Sequence, residues 1–253
     1  RDGRELHAWL GDAPDAGLGP GRSAGDVNRD GRPDLAVGSY TSFDGVLRSH
    51  TLVQRWNGSA WSIVPSPDPD PNQNLLSDVD GTSDRDVWAI GNQGSDGYGG
   101  TLAGLVLHWD GVSWKNVDVP GAGSDTMFSV PNLQDVIALA ANDVWIVGAA
   151  FHRGLFRFVP YSLHWNGTTW QRAFLGTAPN DGRGFTGVAA LSAGRVYAVG
   201  SVTARWNGTT WVQEATVPGL LNDATAIGPS TVWGVGYRFT DALRTLAMRS
   251  TNA

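Results

Sequence analysis

Oxygen-bearing side chains are concentrated between Asp26 and Asp34, where the sequence reads Asp-Val-Asn-Arg-Asp-Gly-Arg-Pro-Asp. The first, third, fifth and ninth positions are Asp26, Asn28, Asp30 and Asp34, and the backbone carbonyl of Arg32 stands at the seventh. Calcium binds several oxygen ligands, and a glycine at the sixth position permits the sharp turn that such a loop makes around the ion. Without a cation the carboxylates would repel one another. The segment therefore predicts a calcium site that braces the fold.

A second set of carboxylates stands at the start of predicted inner strands. Asp78, Asp135 and Asp223 occupy matched positions, and Gly187 stands at the corresponding point of another copy. Acids that converge on a central pocket can supply the acid, base or nucleophile of glycoside hydrolysis. An aspartate at a strand start can also accept backbone N–H bonds at a turn. We assign no catalytic residue from the sequence, and these three aspartates are the candidates of the enzyme hypothesis.

Aromatic side chains stand beside polar ones in several long segments between the predicted strands. An exposed ring can stack on the C–H face of a sugar while neighbouring polar groups bond its hydroxyls. The same features suit a protein partner, and some of these rings would only pack their own loops. The candidate ligand-binding residues are Tyr40, Phe43, Asp44, Asp96, Tyr98, His152, Arg153, Tyr237, Arg238 and Asp241.

Four tryptophan hairpins indicate the scaffold that carries these segments. Each has a Trp, then Asn-Gly or Asp-Gly, two more residues and a second Trp, and the copies begin at Trp56, Trp109, Trp165 and Trp206. Asn-Gly between apolar runs favours a type I′ hairpin, because both central positions need positive φ. The spacing of about 40 to 55 residues is typical of propeller blades. The matched Trp pairs predict rings that pack between neighbouring blades.

The segment from Ser23 to Gly38 resembles the FG-GAP repeat of integrin-like propellers, which runs from an inner strand through a calcium loop into a Leu-x-Val-Gly strand. Leu35-Ala36-Val37-Gly38 is that last motif in this chain. The resemblance covers one blade. It implies a propeller fold and calcium ligation by the five residues of the Asp26–Asp34 loop named above.

Together these patterns predict an all-β, single-domain, five-bladed propeller with four-stranded antiparallel blades. His7-Ala8-Trp9-Leu10-Gly11 parallels Arg172-Ala173-Phe174-Leu175-Gly176. We therefore expect residues 5–10 to form the outer strand of the last blade and to close the ring. The predicted blades span residues 22–65, 74–120, 127–176, 184–218 and 221–250, within one domain of residues 1–253.

Composition argues against several classes of function. The formal net charge is -6 and the chain has no run of Lys and Arg, which argues against nucleic-acid binding. No apolar segment is long enough for a transmembrane helix, so we expect no membrane insertion. The absence of cysteine excludes disulfides and thiolate metal sites. This composition, with a first residue that is not Met, favours a processed, secreted bacterial protein.

These observations lead to one expected function and two alternatives. The protein resembles secreted bacterial propeller lectins, and we expect an extracellular module that binds glycans of a surface or polymer through its long loops. The first alternative is a protein-interaction module within a larger secreted adhesin, enzyme or toxin assembly. The second is a glycoside hydrolase that uses the central aspartates. Fold alone does not decide among the three.

Overall fold

Five antiparallel β-sheets make up the part of the chain that the computed structural model describes. No helix occurs there, and so none that could span a membrane. This confirms the all-β prediction. Residues 5–10, the predicted closing strand, lie outside this part. The described residues are 22–23, 35–43, 47–94, 103–120, 128–173, 184–239 and 241–251.

Each sheet is a meander in which every strand pairs with the next strand along the chain. The first sheet comprises β1 (Arg22–Ser23), β2 (Leu35–Phe43), β3 (Leu47–Trp56) and β4 (Trp61–Ile63). The second comprises β5 (Asn74–Ser83), β6 (Asp86–Gln93), β7 (Ala103–Trp109) and β8 (Trp114–Asn116). The third comprises β9 (Phe128–Ala140), β10 (Asp143–His152), β11 (Arg157–Trp165) and β12 (Trp170–Ala173). The fourth comprises β13 (Phe185–Ser192), β14 (Arg195–Gly200), β15 (Val202–Trp206) and β16 (Trp211–Thr216). The fifth has three described strands, β17 (Leu220–Ile227), β18 (Thr231–Phe239) and β19 (Leu243–Thr251).

Tight turns join the third and fourth strands of the first four sheets, but they are not the type I′ turns that the sequence predicts. Phe156 is the only described residue other than glycine with positive φ, so only the glycine of each turn is left-handed, and the loop between the paired tryptophans has four residues. Their glycines have φ between 91° and 97°, a region that glycine adopts without steric cost. In the first of them the Asn57 side-chain oxygen accepts the N–H groups of Ser59 and Ala60, each at 2.9 Å. Asp110 accepts the same two bonds in the second sheet, so a side-chain oxygen before the glycine stabilises the loop in Asn-Gly and Asp-Gly copies alike. The four glycines are Gly58, Gly111, Gly167 and Gly208.

Neighbouring sheets pack through tryptophans, as the repeat predicts. Trp88 of β6 is buried, and its ring centroid lies 5.4 Å and 5.2 Å from those of Trp165 and Trp170 in the third sheet. The same contact recurs one sheet later, where Trp145 meets Trp206 and Trp211. The second strands of the second and third sheets, β6 and β10, are therefore each covered by the Trp pair of the following sheet.

A histidine and an aspartate hold each of these rings in place. His108 stacks on Trp88 with ring centroids 4.1 Å apart, and its Nε2 bonds Asp86 Oδ1 at 2.8 Å. His164, Asp143 and Trp145 repeat the arrangement in the third sheet. The bond from His108 lowers the pKa of Asp86, although partial burial opposes the shift. These histidines therefore stabilise the sheet contacts.

The fifth sheet leaves one face partly open. Trp233 occupies the position of Trp88 and Trp145, but it is 37% exposed and lies beside Arg249, which contacts the ring face. A cavity of about 180 Å³ also separates the fourth and fifth sheets, with Tyr197, Glu214 and Met248 in its walls. Among the described residues, this sheet lacks the fourth strand that its neighbours have.

Candidate functional site

An exposed aromatic ring is held at the end of the first sheet. The β2–β3 register places Tyr40 directly opposite His50. Their rings stack with centroids 4.9 Å apart and planes 24° from parallel, and Tyr40 remains 36% exposed. Tyr40, a predicted ligand-binding residue, thus presents part of its ring to solvent from a fixed position.

Hydrogen bonds fix the histidine beneath that ring. His50 Nδ1 donates to Asp68 Oδ2 at 2.8 Å, and the Ser42 hydroxyl lies 2.9 Å from His50 Nε2. The second oxygen of Asp68 accepts the N–H of Thr51 at 2.7 Å. The Thr51 hydroxyl bonds Ser66, so the segment that carries Asp68 is tied to β3. We call Tyr40, Ser42, His50 and Asp68 the Tyr40 cluster.

A second aromatic group lies at the tip of the β10–β11 hairpin. The ring of Phe151 lies 5.5 Å from those of Phe156 and Phe158. Phe156 is 84% exposed and has a φ of 55°, an unusual conformation for a bulky residue. The predicted ligand residues His152 and Arg153 belong to the same tip, and His152 Nδ1 accepts the N–H of Leu155. This tip, residues 151–158, therefore combines exposed apolar and basic groups.

The other predicted ligand-binding residues fall into two groups. Tyr237 and Arg238 lie near the end of β18, and Asp241 lies in the turn that follows, 3.4 Å from Arg244 Nη2. The β2–β3, β10–β11 and β18–β19 hairpins all join second to third strands, so they mark corresponding ends of their sheets. The side chain of Phe43, and the whole of Asp44, Asp96 and Tyr98, lie outside the described residues.

The predicted calcium ligands also lie outside the described part of the chain. They are Asp26, Asn28, Asp30, Arg32 and Asp34. Among the described residues, no group of three or more histidine or carboxylate side chains is arranged to hold a metal ion.

The aspartates of the enzyme hypothesis connect the inner strands. Asp78 Oδ2 accepts the N–H of Val136 at 2.9 Å, and Asp135 Oδ2 accepts the N–H of Val188 at 2.7 Å. Each carboxylate therefore spans from its own sheet to the inner strand of the next. The matched position in the fourth sheet is Gly187, which has no carboxylate and so cannot make the corresponding bond to the fifth sheet.

Asp223, the matched aspartate of the fifth sheet, bonds within its own strand. Its Oδ1 accepts the N–H of Ala224, the next residue in the chain, at 2.7 Å. A Cβ at Gly187 would lie 2.8 Å from the Cα of Asp223, so glycine allows the two inner strands to approach. Asp223 is exposed.

Asp135 is the most perturbed of these acids. Burial raises the pKa of its carboxyl well above 3.8, and the adjacent Asp78 raises it further by hydrogen bonding and charge. Asp223 adds a smaller repulsion, and the N–H of Val188 opposes the shift. The raised pKa favours the protonated carboxyl of Asp135, which is the state a general acid requires.

The comparison with protein families supports the resemblance seen in the sequence. Residues 23–49 match the FG-GAP repeat. This FG-GAP segment contains Tyr40 and Ser42, and ends one residue before His50. It covers a minor part of the chain, so it describes the first sheet and not the whole protein. No match was found among curated protein sequences.

Several solved structures are similar to this chain at low sequence identity. A protein of unknown function from Dyadobacter fermentans is 14% identical, with a TM-score of 0.60 over 93% of this chain and 83% of its own. An α-L-arabinofuranosidase of Fusarium graminearum, solved with arabinobiose, is 13% identical, with a TM-score of 0.48 over 90% and 76%. An α-L-arabinanase of Penicillium chrysogenum, also solved with arabinobiose, is 12% identical, with a TM-score of 0.47 over 93% and 76%. At these identities the likeness concerns the fold alone, and no residue role is transferred.

Sequence reasoning did not identify the partners of Tyr40. His50, Ser42 and Asp68 are ordinary residue types, and no motif in the sequence links them to Tyr40. The Asp44-Gly45 pair between two β-prone runs could have indicated the hairpin that brings Tyr40, Ser42 and His50 together. Nothing in the Pro-rich segment around Asp68 indicates that it turns back onto β3.

Proposed function

We propose that this protein binds glycans through the sheet ends that carry the second-to-third strand hairpins, with Tyr40 as the stacking ring. The observation that carries the proposal is the partly exposed Tyr40 ring fixed on His50. A ring held in place loses little conformational freedom when a sugar stacks on it. Asp68 and Ser42 place hydrogen-bonding oxygens beside the ring, as a sugar site requires.

We place the protein outside the cell as part of the same proposal. Calcium bound by the Asp26–Asp34 loop would brace the first sheet, from which Tyr40 emerges. The absence of cysteine and the net negative charge are compatible with a secreted propeller. The ligand would be the glycan of a surface or polymer.

A glycan array, followed by titration of each hit, tests this function. Tyr40→Ala should weaken binding by at least tenfold because it removes the stacking surface. Tyr40→Phe is the matched control, since it keeps the ring and should keep most of the affinity. An array without hits, or equal affinity for Tyr40→Ala and the wild type, contradicts the proposal.

A protein partner is the second candidate function, and the hairpin tip favours it. Phe156 and Leu155 are exposed together, and exposed apolar groups of this kind often mark protein contacts. On this interpretation the module would belong to a larger secreted assembly. Silence on the glycan array, together with a partner whose binding is lost in Phe156→Ser, would favour it.

The glycoside hydrolase is the third candidate, favoured by the raised pKa of Asp135 beside Asp78. Incubation with plant and bacterial polysaccharides should then release reducing ends. Asp78→Asn should abolish that release while preserving an acceptor oxygen for the N–H of Val136. The absence of any turnover by the wild-type protein would exclude this candidate for those polysaccharides.

A further inference from the structure

The Tyr40 cluster contains a chain of three groups in the order used by serine hydrolases. Asp68 Oδ2 lies 2.8 Å from His50 Nδ1, and His50 Nε2 lies 2.9 Å from Ser42 Oγ. A nucleophile bonded to a base, and a base bonded to an orienting carboxylate, define such a relay by geometry and not by sequence position. We propose that Ser42, His50 and Asp68 hydrolyse short-chain carboxylic esters.

Asp68 and Tyr40 hold the His50 imidazole in the tautomer and the orientation that a general base needs. Because an ionised carboxylate only accepts hydrogen bonds, Asp68 places the proton of His50 on Nδ1. Nε2 then carries the lone pair that faces the Ser42 hydroxyl. The N–H of Thr51 fixes the carboxylate, and the Tyr40 ring stacked on the imidazole restricts its tilt. Asp68 is thus a positioning residue, while Ser42 and His50 react.

Strand pairing explains why distant residues meet here. Ser42 and His50 lie on the same face of the β2–β3 hairpin, two register positions apart along the ladder. Arg48 is directly opposite Ser42 in this register, so its side chain leaves the sheet on that same face. A guanidinium close to the nucleophile would stabilise negative charge on an ester oxygen.

The exposure of the site indicates the substrate class. The His50 and Asp68 side chains are 26% and 32% exposed, so an ester can approach from solvent. Next to Ser42 and His50 on this face, the β2–β3 register places Arg48 and the Tyr40 ring, which is a small apolar surface for an acyl group. Short acyl groups, such as acetyl, therefore fit best.

Each step of the reaction can be written with groups present in the protein and with water. Ser42 Oγ bonds to the ester carbonyl carbon as its proton moves to His50 Nε2. The C–O bond to the alcohol then breaks, and the alcohol leaves with that proton. Water attacks the acyl-serine and gives a proton to Nε2. Collapse releases the carboxylic acid, and the proton returns to Ser42 Oγ.

A fluorophosphonate probe tests for an activated serine, because it phosphonylates such a serine and loses fluoride. Mass spectrometry of the folded protein should locate the label on Ser42. Ser42→Ala should remove the label, and His50→Gln should reduce it at least tenfold. Ser49→Ala is the matched control, since Ser49 lies next to His50 on β3 but on the opposite face of the hairpin from Ser42, and should leave labelling unchanged.

Hydrolysis of p-nitrophenyl acetate gives the second measurement. We expect kcat/KM to fall about a hundredfold in Ser42→Ala and in His50→Gln, within the usual range for loss of a nucleophile or general base. Asp68→Asn should lower kcat and change its pH profile, because an amide no longer fixes the histidine tautomer. Circular dichroism would check that each variant is folded.

Two results would overturn the inference: no label on Ser42 in the folded wild-type protein, or equal ester hydrolysis by Ser42→Ala and the wild type. Neither measurement involves a sugar. Failure of the relay therefore leaves the glycan proposal standing, and failure of glycan binding leaves the relay standing.

Discussion

Asp135 of the third sheet accepts the N–H of Val188 in the fourth sheet at 2.7 Å, across a gap of 53 positions in the chain. Asp78 makes the equivalent bond to Val136. Buried backbone N–H groups that face a neighbouring inner strand need a partner, and these carboxylates supply it. The inner strands are thus linked by side chains where no β-ladder joins the sheets. Asp78 and Asp135 are also candidate acids of the enzyme hypothesis, so the titration of Asp135 bears on that hypothesis as well as on stability.

Asp135→Asn should change how stability depends on pH. The pKa of Asp135 is raised in the folded protein, so its favourable contribution is complete below about pH 4 and is lost as pH rises through the folded pKa. The amide does not titrate. We therefore expect the free energy of unfolding of the variant to improve relative to the wild type as pH rises above 4. Urea unfolding from pH 4 to 8 measures this, and parallel curves would contradict it.

His108→Phe separates the two roles of the histidine under Trp88. The phenyl ring can still stack, but Asp86 loses the bond that lowers its pKa. That bond contributes above the unfolded pKa and is lost in acid. We expect a loss of about 1 kcal/mol at pH 7, which shrinks as pH falls below 4. Guanidinium unfolding at both pH values tests it, and an equal loss at each would show that packing alone matters.

Calcium should stabilise the protein if the Asp26–Asp34 loop binds it. An ion that binds the native state raises its stability by mass action. Chelation should therefore lower the melting temperature of the wild type, and Asp30→Ala should melt at the same temperature with and without chelator. Asp80→Ala, a substitution outside the loop, should keep the response to chelation. A wild-type melting temperature that does not change on chelation would contradict the predicted calcium site.

The sequence predicted those features that depend on neighbouring residues. The location of the Asn57-Gly58 turn follows from backbone preferences, although its predicted type I′ conformation was wrong, and the repeat of Trp145 and Trp211 placed large rings between sheets. Strand ends are less well defined by the sequence: the apolar pattern from Leu75 to Gly81 predicts an inner strand, and the strand in the structure runs from Asn74 to Ser83. Such ends depend on pairing partners, which a single strand does not reveal.

The Tyr40 cluster could not be derived in the same way. Its geometry depends on the β2–β3 register and on the path of residues 64–73, which form no long strand. Asp68 reaches His50 because Thr51 bonds both Asp68 and Ser66. These contacts join residues that are far apart in the sequence, and no local sequence pattern indicates them.

Residues 5–10 should pair with β19 and supply the fourth strand of the fifth sheet. In the third sheet Ser162 lies opposite Ala173. The sequence parallel matches Ala8 to Ala173, and the β18–β19 register matches Ala247 to Ser162. The chain has no cysteine, so Ala8→Cys with Ala247→Cys introduces the only two thiols. Mild oxidation should form an intramolecular disulfide, seen as a faster band on a non-reducing gel.

The control for this closure pairs Ala8→Cys with Val112→Cys, an exposed position in a turn of the second sheet. That pair should stay reduced, because the two positions would lie in different sheets. A disulfide-linked dimer of the Ala8/Ala247 variant would mean that a second copy covers β19. Free thiols in a folded monomer would mean that residues 5–10 lie elsewhere.

Closure also predicts a more compact native state, because the open edge of β19 would then be covered. Deleting residues 1–10 should therefore lower the unfolding midpoint and increase dye binding at the cavity between the fourth and fifth sheets.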